Sequence, residues 1–147
     1  MTQPARTWRR VLVLAIGGGL GFWVANFAIS LSPIAAEYRA ALSIAYLPML
    51  LEAMLGGLVL GFGVSYFLLR FYDRLPTQSP VLKSLLLSLT ALVAVTALVE
   101  VLAKFLTPTH DAWRYFLIAA LFNVIRISTL GVVIGLLYGR LYGRVRD

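Results

Sequence analysis

Four long apolar segments, separated by short polar ones, make up most of this chain. They cover about residues 11–31, 44–69, 81–106 and 113–138. Because an α-helix of about 20 apolar residues crosses the hydrocarbon core of a bilayer, each segment is long enough to span it. Short connections join antiparallel neighbours. The pattern therefore predicts an all-α integral membrane protein, one domain over residues 1–147, with four transmembrane helices in two helical hairpins.

The first apolar segment has a second interpretation, a cleaved secretory signal peptide. Arg6, Arg9 and Arg10 precede it, and Ile34-Ala35-Ala36 could serve as a cleavage site. The apolar part of a signal peptide is about 7–15 residues long, however, and this segment is longer. We therefore expect a retained first helix, followed at residues 32–43 by a short outer loop with an interfacial helical turn.

Composition agrees with a membrane protein. Hydrophobic residues make up 61% of the chain and charged residues 13%, whereas soluble domains carry about 25% charged residues. The net charge of +7 could suggest nucleic-acid binding. The basic residues lie just beyond the ends of the apolar segments, however, which is where they determine membrane topology. We therefore predict a lipid bilayer as the environment and no nucleic-acid partner.

The distribution of Lys and Arg predicts the orientation. One side of the predicted bundle holds Arg6, Arg9, Arg10, Arg70, Arg74, Lys83, Arg140, Arg144 and Arg146. The other side holds Arg39, Lys104 and Arg114. Because short cytoplasmic loops carry an excess of Lys and Arg, both termini are expected in the cytoplasm, in a prokaryotic inner membrane. The basic helix ends could also attract anionic lipid headgroups.

Away from the segment ends, five residues with carboxylate, amide or guanidinium groups interrupt the apolar segments, and helical periodicity places each on a face with small residues. Arg126 is the most demanding, because an arginine at mid-membrane costs about 2.5–3.5 kcal/mol on insertion scales. Small residues allow helices to approach closely in lipid, so these faces are expected to point inward. They predict a buried polar cluster towards the outer half of the bundle, formed by Asn26, Glu52, Glu100, Asn123 and Arg126.

This cluster admits three interpretations. Buried Arg–Glu and Asn contacts can fix which helices pair and in what register. Ionisable residues within the membrane also mark transport pathways and proton relays. Two carboxylates beside one arginine leave a surplus acidic group, so Glu52 or Glu100 could carry a proton. The third interpretation is a contact with a partner subunit or a lipid.

Small residues also recur at four-residue spacing away from the charged faces. Such rows favour close helix packing in membranes. They could form a contact between the second and fourth helices within the bundle, or an oligomer interface. The rows consist of Gly57 and Gly61 in the second helix, and Ser128, Gly131, Gly135 and Gly139 in the fourth.

The ends of the second and fourth helices resemble each other. Gly61 precedes the sequence Arg-Phe-Tyr-Asp-Arg at 70–74, and Gly131 precedes Arg-Leu-Tyr-Gly-Arg at 140–144 with the same spacing. A duplicated helical hairpin would produce this similarity. The preference for Arg and Tyr at cytoplasmic helix ends would produce it as well.

Signals for catalysis are weak. The chain has no cysteine, which excludes disulfides and thiolate chemistry. His110, the one histidine in the sequence, falls in a predicted outer loop. The glycines at 17–21 lack the strand and the Gly-Lys-Ser/Thr ending of a phosphate-binding loop, and no hydrolase motif is present. We predict no catalytic residue, no cofactor, no metal site and no enzymatic activity.

The sequence favours a small non-enzymatic multi-pass membrane protein, acting as a self-associating, accessory or structural subunit of a membrane complex. Its expected partners are further copies of the chain or other membrane subunits. The alternative is a small transporter or channel component that uses the polar cluster as its site. Access of water separates the two, because a transporter needs a path from both sides.

Overall fold

The computed structural model describes residues 3–102 and 110–143, except for the side chains of residues 3–5 and of residue 100. Two further turns extend the helices: a 3-10 turn at Tyr72–Arg74 and a π-helical turn at Thr96–Glu100. The α-helices of the described residues are α1 (Gln3–Ser30), α2 (Pro33–Ala41), α3 (Tyr46–Phe71), α4 (Pro80–Val95) and α5 (Ala112–Tyr142).

Four helices are long and apolar enough to cross a membrane, which confirms the predicted fold class. The spans cover Arg6–Ser30, Tyr46–Arg74, Pro80–Val99 and Ala112–Tyr142. They pack as a bundle in which α1 lies against both α3 and α5, while α4 lies mainly against α5. The helices run further into the basic ends than the hydropathy predicts, because the backbone hydrogen bonding of a helix continues past its apolar residues.

The loop expected at residues 32–43 contains a helix of nine residues, α2. Ser32 caps its N-terminus by accepting a hydrogen bond from the Ala35 backbone N–H at 3.2 Å, and Pro33 occupies the first turn. The helix ends at Ala41 with Leu42 as its C-cap, and Ser43, which follows, has a left-handed backbone at φ 54°. These features turn a connection into a short element that lies across one end of the bundle, referred to below as the α2 end.

Glycines close the contact between α1 and α3. A Cβ atom on Gly61 would lie 2.6 Å from the backbone oxygen of Ala15, and one on Gly57 would lie 2.9 Å from the Phe22 ring. Side chains at these positions would therefore separate the two helices. This part of the glycine pattern serves packing within the bundle.

Glycines also close the contact between α4 and α5. A Cβ atom on Gly131 would lie 2.5 Å from the Ser88 hydroxyl oxygen, and one on Gly135 would overlap the backbone of Val81. Gly139 is less constrained, with Pro80 at 3.9 Å, and Ser128 is half-buried. The row in α5 therefore packs α4 inside the bundle.

The two glycine contacts occupy corresponding places in the two hairpins. Gly61 approaches Ala15 of its hairpin partner, and Gly131 approaches Leu85 of its own. The same sequence spacing separates Gly61 from Gly131 and Ala15 from Leu85. This one contact agrees with a duplicated hairpin, although the atoms nearest to Gly131 belong to Ser88.

An apolar core fills the half of the bundle away from α2. Its central side chains are almost completely buried and come from α1, α3 and α5. They are Leu14, Leu68, Ile127, Leu130 and Ile134.

Candidate functional site

Arg126 is the centre of a hydrogen-bonded network that joins α1 and α5. Its guanidinium donates to the side-chain oxygen of Asn26 at 2.8 Å and to that of Asn123, one turn away on α5. Its Nε also donates to the Phe122 carbonyl at 3.3 Å, and its Cζ lies 5.4 Å from the centre of the Phe22 ring. Both asparagines are buried, so the network fixes the register of the two helices.

One polar atom of the Asn26 side chain lacks a hydrogen-bond partner among the described residues. Its Oδ1 accepts from Arg126, which determines the orientation of the amide and places Nδ2 on the other side. Nδ2 is buried and has no hydrogen-bond partner among the described residues. A buried donor without an acceptor costs about 1–3 kcal/mol of stability, so a hydrogen-bond acceptor beside Nδ2 would be stabilising.

A cavity of about 150 Å³ adjoins this amide. At about 30 Å³ per water molecule, it has room for about five waters or for a small polar group. Its wall includes Asn26, Arg126 and Glu52, together with Tyr38 and Arg39 of α2. The cavity therefore combines amide, guanidinium and carboxylate groups beneath one short helix.

Aromatic and ionic contacts hold α2 over the cavity. The Tyr38 ring meets the rings of Tyr115 and Phe122 edge-on, with centroids 6.1 and 5.9 Å apart. Glu37 and Arg114 form a salt bridge at 2.8 Å between two substantially exposed side chains. Both sets of contacts tie α2 to the first half of α5.

Arg39 closes the cavity on the side of α1 and α3. Its Nη1 donates to the Ser30 carbonyl at 3.1 Å, and its Cζ lies 5.1 Å from the centre of the Tyr46 ring. The Tyr46 and Ser30 hydroxyls are 3.2 Å apart. These contacts hold the Arg39 guanidinium at the end of the bundle, where it lines the same cavity as Arg126.

The structure brings together three members of the predicted cluster: Asn26, Asn123 and Arg126. Glu52 lines the adjoining cavity, and its side chain is exposed. The side chain of Glu100 lies outside the described residues. Sequence reasoning missed Tyr38 and Arg39, although the Ser-Pro start of α2 was a signal for a helix N-terminus.

The opposite end of the bundle holds a different set of basic residues. Arg6, Arg9 and Arg10 line a cavity of about 420 Å³ with Tyr142, and the Arg10 guanidinium lies 4.7 Å from the centre of the Tyr142 ring. These arginines lie at the helix ends where an anionic headgroup was predicted.

Lys83 of α4 is buried near the same end of the bundle. Its Nζ donates to the Tyr72 carbonyl at 2.5 Å and lies 3.8 Å from the centre of the Tyr72 ring. Tyr72 in turn stacks on Tyr138 with ring centroids 4.6 Å apart. The long side chain of Lys83 thus reaches a carbonyl and an aromatic face instead of pointing into open solvent.

A cleft of about 320 Å³ separates α3 from α4. Its wall is almost entirely apolar and contains small residues, Gly63, Ala91 and Ala94. A Cβ atom on Gly63 would meet nothing within 4 Å, unlike one on Gly57 or Gly61. We call this space the α3–α4 cleft.

Among the described residues, no group of three or more His, Asp or Glu side chains could hold a metal ion. No protein-family model, no curated protein and no solved structure matches the chain. Its class therefore follows from its own fold and composition: four apolar helices in a bundle define a multi-pass membrane protein in a lipid bilayer.

Proposed function

We propose that this protein is a non-enzymatic accessory or structural subunit of a membrane complex, and that another transmembrane helix lies against its α3–α4 cleft. The observation that carries this proposal is the difference between the seams of the bundle. Glycines close the α1–α3 and α4–α5 seams through direct contacts. The cleft has small residues too, yet Gly63 faces open space.

The lining of the cleft suits an apolar helix. In lipid, helices associate through close packing, and small residues permit that approach. The Thr90 hydroxyl in the cleft already donates to the Leu86 carbonyl at 3.1 Å, so it does not require a polar partner. The incoming helix belongs to a second copy or to a different subunit, and the mass of a cross-linked product distinguishes the two.

The test uses two matched glycine variants. A Cβ atom meets nothing within 4 Å at Gly63 or at Gly56, but Gly63 lines the cleft and Gly56 does not. Both substitutions to Leu raise helix propensity, and neither adds a Cβ atom that meets a neighbour within 4 Å. Gly63→Leu is expected to fill the cleft and displace the partner, while Gly56→Leu is expected to behave as wild type.

The measurement is photo-cross-linking in native membranes from a photoreactive residue at Ala91. A protein adduct that forms in wild type and in Gly56→Leu, but not in Gly63→Leu, supports the proposal. An adduct of two chain masses identifies a second copy. Cross-links to lipid alone, or a protein adduct that Gly63→Leu leaves unchanged, contradict the proposal.

The second candidate function is a small transporter or channel component, favoured by the polar cavity beneath α2. Transport requires water to reach the site from both ends of the bundle. Single cysteines at Glu52 and at Ser88, which is buried on α4, test this in the cysteine-free chain. Labelling of both by a water-soluble thiol reagent supports transport, and labelling of Glu52→Cys alone leaves the accessory function.

We also propose that both termini face the cytoplasm of a prokaryotic inner membrane, with α2 on the outer side. The excess of Lys and Arg at the helix ends opposite α2 supports this orientation. The cavity lined by Arg6, Arg9 and Arg10 would then lie at the level of anionic headgroups in the inner leaflet. Reagents that cannot cross the membrane should label a cysteine at Glu37 in intact cells.

A further inference from the structure

We propose that the cavity beneath α2 binds a small zwitterion, an oxyanion with a neighbouring ammonium group, as in a phosphoethanolamine headgroup. The sequence allows a lipid contact at the polar cluster but does not say which headgroup it would take. The proposal is independent of the α3–α4 cleft, because no residue lines both spaces and the cavity lies at the end of the bundle that α2 covers.

The donors in the wall favour an oxyanion. Asn26 lines this cavity, and its buried Nδ2 has no partner among the described residues. Arg39 lines the same wall and uses Nη1 for the Ser30 carbonyl, while a guanidinium carries five N–H donors in all. Arg126 adds a second guanidinium, held by the asparagines. Guanidinium groups match carboxylate and phosphate geometry well.

Glu52 is the reason to expect an ammonium group in the ligand. Its carboxylate lines the same cavity and forms no salt bridge with another described residue. A carboxylate beside the site repels a bare anion but accepts hydrogen bonds from an ammonium group. A ligand that carries both charges therefore matches the wall better than an anion alone.

The size and place of the cavity fit a headgroup. At about 150 Å³ it is smaller than the pockets of about 300–1,000 Å³ that hold drug-sized ligands. Glu52 is exposed, so the cavity opens to its surroundings. Tyr38 and Tyr46 stand beside it, and tyrosines are typical of the membrane interface. The zwitterion is thus the headgroup of a membrane lipid or a free solute with the same groups.

The experiment compares these two sources. The wild-type protein is placed in nanodiscs of phosphatidylcholine alone, or with added phosphatidylethanolamine or phosphatidylglycerol, and retained lipid is measured by native mass spectrometry. Free phosphoethanolamine is added to the phosphatidylcholine sample, and the melting temperature is recorded. Selective retention of phosphatidylethanolamine identifies the lipid source, and a rise in melting temperature with the free compound identifies the soluble source.

Two conservative variants locate the site. Asn26→Asp keeps the oxygen that accepts from Arg126 but replaces the Nδ2 donor with an acceptor, and should lower retention of the zwitterion about tenfold or more. Glu52→Gln removes the charge that holds the ammonium group, and should lower the preference for phosphatidylethanolamine over phosphatidylglycerol. Asp111→Asn is the matched control, because Asp111 is an exposed carboxylate at the same end that does not line the cavity.

Two results would overturn the proposal or a part of it. Equal retention of all three lipids with no response to free phosphoethanolamine means that water alone fills the cavity, and overturns the proposal. Equal retention of phosphatidylglycerol and phosphatidylethanolamine in wild type overturns the role of Glu52. Melting temperatures of the variants near that of wild type show that they fold, so a loss of binding in Asn26→Asp or Glu52→Gln reports on the site.

Discussion

Among the described residues, the cations Lys83 and Arg126 are accommodated in different ways. Lys83 reaches a backbone carbonyl and the face of a tyrosine ring that is itself stacked on another. Arg126 relies on two asparagine side chains, one of which keeps an unmet donor beside a cavity. A cation that only stabilises the fold does not require a cavity beside it. Lys83 is thus satisfied by the fold itself, whereas the unmet donor of Asn26 beside Arg126 supports the ligand site proposed for the α2 end.

Loss of the Arg126 guanidinium should produce the largest effect. Arg126→Met leaves the side-chain oxygens of Asn26 and Asn123 without this donor, at about 1–3 kcal/mol each. We expect the free energy of unfolding in mixed detergent micelles to fall by about 2–6 kcal/mol. Adding Asn26→Leu should restore part of it, because one orphaned acceptor is then removed. A single variant as stable as wild type would show that the network is not structural.

Loss of the Lys83 ammonium should have a smaller effect. Lys83→Met removes one hydrogen bond and one cation–π contact but keeps most of the apolar stem. We expect a loss of about 1–2 kcal/mol in the same unfolding measurement, without any change in lipid retention. Altered retention of phosphatidylethanolamine in Lys83→Met would contradict the division between the two ends.

The four spans and the Arg126 network were accessible to sequence reasoning because both depend on local periodicity. Hydropathy identifies a segment that crosses the membrane, and helical phase places Asn26, Asn123 and Arg126 on inward faces. The partner of each glycine row was not accessible, because periodicity shows that a row exists but not which helix faces it. Gly61 and Gly131 proved to face their own hairpin partners.

The position of α2 over the cavity and the burial of Lys83 both depend on tertiary contacts. The nine residues of α2 are too few for a periodic signal, and their position rests on Tyr38, Glu37 and the left-handed Ser43. Lys83 counts as a cytoplasmic charge in the sequence. It is buried because the 3-10 turn after α3 presents the Tyr72 carbonyl to it. Neither contact has a counterpart in the local pattern of the chain.

The smallest effect is expected at the salt bridge between α2 and α5. Glu37→Gln breaks an exposed pair, which contributes about 0–1 kcal/mol. Global stability should therefore hardly change, while amide hydrogen exchange in α2 should become faster because the helix opens more often. High salt should produce the same local change in wild type, since it screens exposed charges.

The same exchange measurement compares the two ends directly. The Tyr38 ring contacts remain in Glu37→Gln, so α2 should stay helical. Amides around Lys83 should not respond, because that contact is buried and independent of α2. Faster exchange at both ends would mean that the bundle opens as one unit. Faster exchange in α2 alone would show that α2 can move away from the polar cavity while the opposite end of the bundle remains closed. Entry of a ligand into the cavity requires this movement.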